Sequence, residues 1–374
     1  MLKSRYLMIG GFLGAGKTTS VVRLGKMIHQ RQLSVGLITN DQSIGLVDTR
    51  HLRSEGFETE EITGGCFCCK FNSLVQASDK LSSADRPDVF IAEPVGSCTD
   101  LQATVSYPLQ TMFGDQFVVA PYSVLLDPLR TRRVLKLDSG KTFSAKVLYI
   151  FEKQLEEAEL LVINKCDRID RERIDELESA LRQRFPEKQI LRVSARSGEG
   201  FEQWLSLLME TEATMTDSME LDYDEYAEGE ALLGWLNLSA EIESSATTDG
   251  ESIDGNKLVV QLATKIARRL EADQIEIAHL KMTLTPDSGN DLAVGNLVRT
   301  DGLFELSHEL VEPLDAGELL INLRAEAAPE RLRTIVEEDL QTQCRRSSIE
   351  FTINHAEAFQ PGRPTPTYRM PEPK

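Results

Sequence analysis

Gly11-Phe-Leu-Gly-Ala-Gly-Lys-Thr18 is the stretch that decides the fold. It fits the pattern G-x-x-x-x-G-K-[ST]. The apolar run Tyr6–Gly10 before it predicts a strand, and Lys17–Gln30 after it has the pattern of a helix. Strand, glycine loop and helix in this order predict a phosphate-binding loop, because the loop N–H groups and the helix N-terminus both favour an anion.

Two side chains of this loop have predicted catalytic roles. Lys17 should reach the β- and γ-phosphates of a nucleotide, and the Thr18 hydroxyl should ligate Mg²⁺. The other loop residues expected to contact the nucleotide are Gly11, Gly14, Ala15, Gly16 and Thr19.

Short apolar runs alternate with helical patterns over the first 210 residues. Several runs are rich in Val, Ile and Leu with little alternation, as strands buried on both faces require. This βαβ rhythm predicts an α/β domain with a doubly wound, mostly parallel sheet and ligands at the carboxyl ends of its strands. The predicted strands are Tyr6–Gly10, Val35–Thr39, Phe57–Ile62, Val89–Glu93, Phe117–Leu126, Leu160–Asn164 and Ile190–Ser194.

Base specificity is predicted from Asn164-Lys165-Cys166-Asp167, at the end of an apolar strand. A carboxylate at position 167 can accept hydrogen bonds from the N1 and N2 donors of guanine, a pair that adenine lacks. A later strand delivers Ser194 and Ala195, which resemble the element that backs the guanine in GTPases. The order of the three motifs predicts GTP as the nucleotide.

Glu93-Pro-Val-Gly96 ends another predicted strand, where GTPases have D-x-x-G. We expect Glu93 to hold the Mg²⁺ shell and the Gly96 amide to sense the γ-phosphate; a surface turn after a strand is the alternative. Asp48, in the segment after the second strand, is a further Mg²⁺ candidate, and a solvated turn acid is its alternative.

Three cysteines crowd into Gly64-Gly65-Cys66-Phe67-Cys68-Cys69. An extended backbone would place Cys69 opposite Cys66 and Cys68, so convergence on one ion needs a turn. Thiolates suit Zn²⁺ or Cu⁺. Buried structural cysteines and redox use of the vicinal pair stay open, as does metal ligation by Cys98 or His355.

The phosphate loop, the G-G-C-x-C-C run, the E-x-x-G motif and Asn164–Asp167 together resemble the CobW-type GTPases, relatives of HypB and UreG. The resemblance covers residues 4–210. It implies a P-loop NTPase fold and a metallochaperone whose GTP state gates a transition metal (Zn²⁺, with Co²⁺ or Ni²⁺ as alternatives) at Cys66, Cys68 and Cys69. It also implies transfer of that metal to a client metalloprotein. The segment Asn40–Asp48 departs from the usual N-E-F-G-x-x-x-x-D, and no histidine-rich tract is present.

The remaining chain predicts further segments in a set order. Residues 1–210 form the GTPase domain, 211–230 an acidic linker, 231–358 a smaller C-terminal α+β domain and 359–374 a proline-rich tail. The pattern β-α-β-β-(β)-α-β in the third segment fits a ferredoxin-like sandwich. An amphipathic helix, Lys257–Glu271, carries Leu258, Leu262, Ile266 and Leu270 on one face.

Composition excludes several partner classes. The 374 residues carry 60 acidic and 41 basic side chains, a formal charge of −19, which argues against nucleic acid and anionic membranes. No apolar run approaches a membrane span, and we expect a cytoplasmic protein. A homodimer stays open. The alternative functions are a GTP-driven partner-binding switch with structural cysteines and a P-loop phosphotransferase acting on a small molecule.

Overall fold

The computed structural model describes residues 3–40, 52, 56–83, 85–245, 252–289 and 291–370. The chain divides into two compact units. The first comprises Met1–Gly229 together with Arg363–Lys374, and the second comprises Glu230–Gly362. No helix of the described ranges has the length and apolar character needed to cross a membrane.

The first unit is built on a parallel sheet, to which the described residues contribute eight strands in the order β3-β2-β4-β1-β6-β7-β8, with β5 also pairing with β1. The strands are β1 (Ser4–Gly11), β2 (Val35–Asn40), β3 (Thr59–Ile62), β4 (Val89–Glu93), β5 (Phe117–Val119), β6 (Ser123–Leu126), β7 (Leu160–Ile163) and β8 (Gln189–Arg192). The predicted doubly wound, mostly parallel α/β sheet is confirmed.

Helices lie between these strands and also follow the last of them. They are α1 (Lys17–Gln30), α2 (Phe71–Leu81), α3 (Tyr107–Met112, preceded by a π-helical turn over Gln102–Ser106), α4 (Pro128–Val134), α5 (Ala145–Glu157), α6 (Arg171–Arg184), α7 (Phe201–Glu210) and α8 (Tyr223–Leu232). Every residue of β2, β4, β6 and β7 is buried, which explains their uninterrupted apolar runs. In a parallel sheet the carboxyl ends of these strands meet at one edge, and that edge carries the motifs.

One predicted strand is wrong. Phe117–Leu126 is two strands, β5 and β6, that pair with successive parts of β1. Pro121 lies between them and has no N–H to donate to a sheet ladder. The ladder therefore breaks there, and Ala120 donates its N–H to the Tyr6 carbonyl at 2.9 Å before the chain resumes pairing.

The second unit contains an antiparallel sheet with the order β12-β11-β10-β13-β9-β14 among the described residues. Its elements are β9 (Leu233–Ser244), α9 (Gly255–Ala272), β10 (Ile277–Pro286), β11 (Ala293–Leu297), β12 (Glu305–His308), β13 (Ala316–Glu326), α10 (Pro329–Arg346) and β14 (Ile349–Phe359). The central order β10-β13-β9-β14 is that of a ferredoxin-like sandwich, with β11 and β12 added at one edge.

The amphipathic helix predicted in this unit is confirmed. Leu258, Leu262, Ile266 and Leu270 are all buried on one face of α9 and belong to the core of the second unit. Strand β12 was not predicted from the sequence, because its residues are half-buried or exposed and show no apolar alternation.

The acidic segment 211–230, predicted as a linker, contains the start of α8. Within the first unit, Ala213 donates its N–H to the Val119 carbonyl at 2.8 Å, and the Tyr226 side chain is fully buried. The boundaries predicted for this segment and its neighbours stay predictions.

Candidate nucleotide site and cysteine loop

The phosphate loop joins β1 to α1. Two of its glycines are packed so closely that a side chain at either position would clash with its neighbours. Gly11 and Gly16 have φ angles of +130° and +90°, a region that favours glycine. A Cβ on Gly11 would lie 2.4 Å from the Leu125 carbonyl oxygen, and one on Gly16 would lie 2.5 Å from Asn164 Nδ2. The loop therefore packs with bare backbone against β6 and against the predicted guanine motif.

The three predicted catalytic side chains lie together at the start of α1. Lys17 Nζ donates to the Gly11 carbonyl at 3.0 Å, and Thr18 Oγ1 donates to Glu93 Oε1 at 2.9 Å. All three side chains are buried. The Thr18 hydroxyl and the Glu93 carboxylate thus place two oxygen atoms close together, and Mg²⁺ prefers oxygen ligands of these kinds. Gly96 lies against the lysine, since a Cβ there would be 2.9 Å from Nζ.

The guanine motif is hydrogen-bonded to both of its predicted neighbours. Asn164 Nδ2 donates to the Ala15 carbonyl at 2.9 Å, and the Ala195 N–H donates to Asn164 Oδ1 at 3.0 Å. Ser194 Oγ donates to Asp167 Oδ1 at 2.6 Å. The phosphate loop, the Asn164–Asp167 motif and the 194–195 segment therefore form one connected structure.

These contacts do not test the predicted roles of Thr19 and Asp48. Thr19 is exposed on the first turn of α1. Asp48 lies outside the described residues, so its Mg²⁺ role stays a prediction.

Asp127 is a residue of this site that the sequence analysis missed. Lys165 Nζ donates both to the Gly14 carbonyl at 2.7 Å and to Asp127 Oδ2 at 2.9 Å, and the Arg130 N–H donates to Asp127 Oδ1 at 2.9 Å. Burial raises the pKa of Asp127, but the charge of Lys165 and the Arg130 N–H outweigh it and bring the pKa to about 2. The sequence does carry a signal for Asp127. An acidic residue that follows an apolar strand and precedes a proline is typical of the residue that caps a helix N-terminus.

The three loop cysteines converge as predicted for a metal site. Their Sγ atoms lie 2.7 Å apart for Cys66 and Cys68, 3.3 Å for Cys66 and Cys69, and 3.7 Å for Cys68 and Cys69. The turn that convergence requires is present, because the N–H groups of Cys69 and Lys70 both donate to the Cys66 carbonyl. Gly65 enters the turn with φ +149°.

This cluster is the one group of three or more metal-ligating side chains that the described residues bring within reach of a single ion. Sulfurs bound tetrahedrally at ~2.3 Å from zinc lie about 3.8 Å apart. Cys68 and Cys69 already have this spacing, and Cys66 would move by about 1 Å from Cys68 to admit the ion. The donor set therefore fits a thiophilic metal.

Asn40, the last residue of β2, fixes the cysteine loop. Its side-chain amide donates to the carbonyls of Ile62 at 3.0 Å and Gly65 at 2.7 Å, and its Oδ1 accepts the Phe67 N–H at 2.8 Å. Asn40 is buried. Asn40 was noted in the sequence only as the first residue of the segment that departs from the family pattern, and its bonds to the cysteine loop were not predicted.

The cysteine thiols share their protons unequally. Hydrogen bonding with the thiols of Cys68, Cys69 and Cys98 lowers the pKa of Cys66 well below its usual value. The hydrogen bond to Cys66 raises the pKa of Cys68, and the same interaction raises that of Cys69 to about 11. Binding of a cation by the three sulfurs would release the protons that their thiols carry.

Cys98 follows the Glu93–Gly96 motif by two residues, and helix α5 holds the backbone between them. Gln154 Nε2 donates to the carbonyls of Gly96 at 3.0 Å and Cys98 at 2.8 Å. On the next turn of α5, Glu157 Oε1 accepts from Thr99 Oγ1 at 2.9 Å. Burial, with the charge of a neighbouring aspartate, raises the pKa of Glu157 to about 8. The loop predicted to sense the γ-phosphate is thus fixed by a buried helix face.

The comparisons with known proteins agree with this geometry. A family model described as "CobW/HypB/UreG, nucleotide-binding domain" matches residues 5–192. The chain is 28% identical over 211 residues to the zinc chaperone CobW of Sinorhizobium sp, covering 51% of this chain and 59% of that protein. It is 28% identical over 193 residues to the zinc chaperone YeiR of Escherichia coli (strain K12), covering 50% and 54%. The chain therefore spans about half the length of the curated relatives it matches.

Among solved structures, the Zn(II)-bound YjiA GTPase of Escherichia coli is similar over 90% of this chain and 99% of its own. The TM-score is 0.40 and the sequence identity is 14%.

Proposed function

The chain belongs to the CobW/HypB/UreG family, and from this premise we propose that it is a GTP-binding and GTP-hydrolysing metallochaperone. In this proposal it binds a transition metal at Cys66, Cys68 and Cys69 and delivers it to a client metalloprotein. Two relatives are named zinc chaperones, which favours Zn²⁺ over Co²⁺ or Ni²⁺. The client, a homodimer and a cytoplasmic location stay predictions.

The observation that carries the proposal is the position of the cysteine cluster at the nucleotide edge of the sheet. Asn40 at the end of β2 holds the cysteine loop, and β2 pairs directly with β4, which ends at Glu93. Cysteines that served only to fill a core would not need this position. A nucleotide that altered the ends of β2 or β4 would alter the sulfurs as well.

The nucleotide proposal rests on the contacts of the three motifs. The phosphates would lie in the bare-backbone loop at the N-terminus of α1, next to the buried Lys17 amine. Mg²⁺ would be held by Thr18 and Glu93, where it would supply charge neutralisation at the phosphates. Asp167, oriented by the Ser194 hydroxyl, would accept the guanine donors.

Competition for zinc between the protein and a chromophoric chelator tests the function. The full chain, loaded with a non-hydrolysable GTP analogue or with GDP, should bind one Zn²⁺, more tightly with the analogue. We expect a ratio of about 5 to 150, the usual range for coupled sites. The triple variant C66S/C68S/C69S should lose this stoichiometric metal.

Cys344→Ser is the matched control, because Cys344 is fully buried but lies on α10 in the second unit. It should keep full zinc binding. Equal zinc affinity in the two nucleotide states would refute gating. Retained metal in the triple variant would refute the site and leave the cysteines structural, as in a partner-binding switch.

A further inference from the structure

The C-terminal segment Arg363–Met370 follows the second unit in sequence but belongs to the nucleotide-binding unit. It contacts the cysteine loop through its backbone. The Thr365 N–H donates to Cys69 Sγ at 3.2 Å, and the Thr367 N–H donates to the Cys68 carbonyl at 2.8 Å. One of the three candidate metal-binding sulfurs is therefore hydrogen-bonded by this segment.

The sequence Pro364-Thr-Pro-Thr367 suits this contact. Proline has no N–H, so Thr365 and Thr367 carry the only backbone donors of the four residues, and both donate to the cysteine loop. Residues two apart in an extended chain present their N–H groups to the same side. The prolines also restrict the free segment, which lowers the entropic cost of docking.

A second anchor lies at Arg369. Its guanidinium forms two hydrogen bonds to the Asp100 carboxylate, at 2.7 and 3.2 Å, and donates to the Met219 carbonyl at 2.7 Å. Asp100 is only 2% exposed and has φ +65°, and it also accepts from the Tyr223 hydroxyl at 2.6 Å. A buried carboxylate of this kind needs its cationic partner.

Two further contacts complete the docking. The Tyr368 ring meets Phe71, the first residue of α2, edge to face at 5.3 Å. The Met370 N–H donates to the Ala103 carbonyl at 2.7 Å. The segment thus runs from the cysteine loop to the chain just after the phosphate-sensing loop, where Asp100 lies four residues beyond Gly96.

We propose that residues 363–370 form a strap that closes the cysteine loop and controls exchange of its metal ion. The inference rests on the proposed function in taking the cysteines as metal ligands. Hydrogen bonds to ligand atoms orient them, and their loss weakens metal sites by about 10- to 100-fold. Cys69, which the strap contacts, is the most accessible of the three cysteines. Departure of the strap would open the loop to the receiving protein.

Two variants of the full chain test the strap. Thr365→Pro removes the N–H that donates to Cys69 Sγ, and its control Thr365→Ala keeps that N–H. Arg369→Ala removes the buried anchor, and its control Arg363→Ala removes the neighbouring exposed pair with Asp224. Because Arg369→Ala leaves a buried carboxylate unpaired and can unfold the chain, Thr365→Pro keeps the test decisive.

The first readout is thiol reactivity of the metal-free protein toward 5,5′-dithiobis(2-nitrobenzoate), with the modified cysteine identified by mass spectrometry. The second is the rate of Zn²⁺ transfer to a chelator. Both should rise by about tenfold or more in Thr365→Pro and Arg369→Ala, and stay within about twofold of wild type in the controls. GTP binding serves as the check on folding.

Unchanged Cys69 reactivity in folded Thr365→Pro and Arg369→Ala would overturn the strap. Equal rises in Thr365→Ala and Thr365→Pro would also overturn it, because the N–H would then have no part. A rise in reactivity in a protein that binds no stoichiometric zinc would support closure by the strap and refute the metallochaperone function.

Discussion

Asp127→Asn should destabilise the nucleotide-binding unit, because it removes the charge of a buried site residue that was not predicted from the sequence. Asparagine keeps the shape of the side chain and an oxygen that can accept the Arg130 N–H at the start of α4. It loses the charge that holds Lys165 at 2.9 Å. The substitution therefore isolates the ion pair from the helix cap.

The expected size follows from the pKa of Asp127. Burial opposes the charged form, yet Lys165 and the Arg130 N–H lower the pKa from 3.8 to about 2. At about 1.4 kcal/mol per tenfold change in proton affinity, the charged form adds roughly 2 kcal/mol to the free energy of unfolding. The folded-state pKa is the lower one, so this stabilisation is complete above about pH 4 and is lost as the pH falls through about 2.

Urea unfolding followed by tryptophan fluorescence measures the loss of stability, provided that the signal comes from the first structural unit, which contains Asp127. The chain has two tryptophans, Trp204 in the first unit and Trp235 in the second. A Trp235→Phe background leaves Trp204, whose Nε1 donates to Ser123 Oγ on β6, the strand that Asp127 follows. Asp127→Asn should lower the free energy of unfolding by about 2 kcal/mol at pH 7, and the difference should shrink below pH 4.

Glu228→Gln is the matched control, because Glu228 forms an exposed ion pair with Lys146 in the same unit. Exposed pairs contribute about 0–1 kcal/mol, so its effect should be small. The reasoning would be refuted if Asp127→Asn lowered the free energy of unfolding no more than Glu228→Gln does. It would also be refuted if the decrease caused by Asp127→Asn were the same at pH 7 and pH 3.

Three further substitutions test the nucleotide site by equilibrium binding of fluorescent nucleotides. Lys17→Ala should weaken GTP binding by roughly 100-fold, since a charged donor contributes about 1.5–3 kcal/mol, and near-normal affinity would contradict this. Asp167→Asn should shift preference from guanine toward xanthine nucleotides, because it replaces an acceptor with a donor; unchanged preference would mean the base is read elsewhere. Gly96→Ala should weaken GTP binding by about tenfold, because its Cβ would lie 2.9 Å from Lys17 Nζ; unaltered affinity would show that the loop adjusts freely.

The fold could be predicted from the sequence where a local motif and a regular apolar pattern indicate the same element. Helix α1 begins and ends where its pattern predicts, because a glycine loop precedes it and the apolar face is regular. Strand β12 and the break between β5 and β6 were missed for different reasons. The first is an exposed edge strand without alternation. The break between β5 and β6 depends on the single residue Pro121. It becomes visible only in the pairing of the two strands with successive parts of β1.

The site was predictable where a motif carries its own chemistry. Lys17, Thr18, Glu93 and Asn164 lie around the phosphate loop, and the three cysteines converge on one another, although their roles as ligands stay predictions. The partners that hold them were not predicted. Asp127 and the strap are far from these motifs in sequence, and their contacts arise only when strand ends and the C-terminal segment come together.

The cysteine loop is connected to the nucleotide edge from two sides, which bears on how a nucleotide could change metal affinity. From β2, Asn40 holds Gly65 and Phe67 through short bonds. From β4, the chain beyond Glu93 brings the Cys98 thiol to Cys66. Hydrogen bonds weaken steeply with distance and angle, so a small shift of either strand end must move the sulfurs or break these bonds. Because linkage is reciprocal, bound metal would then resist the same shift and favour the same nucleotide.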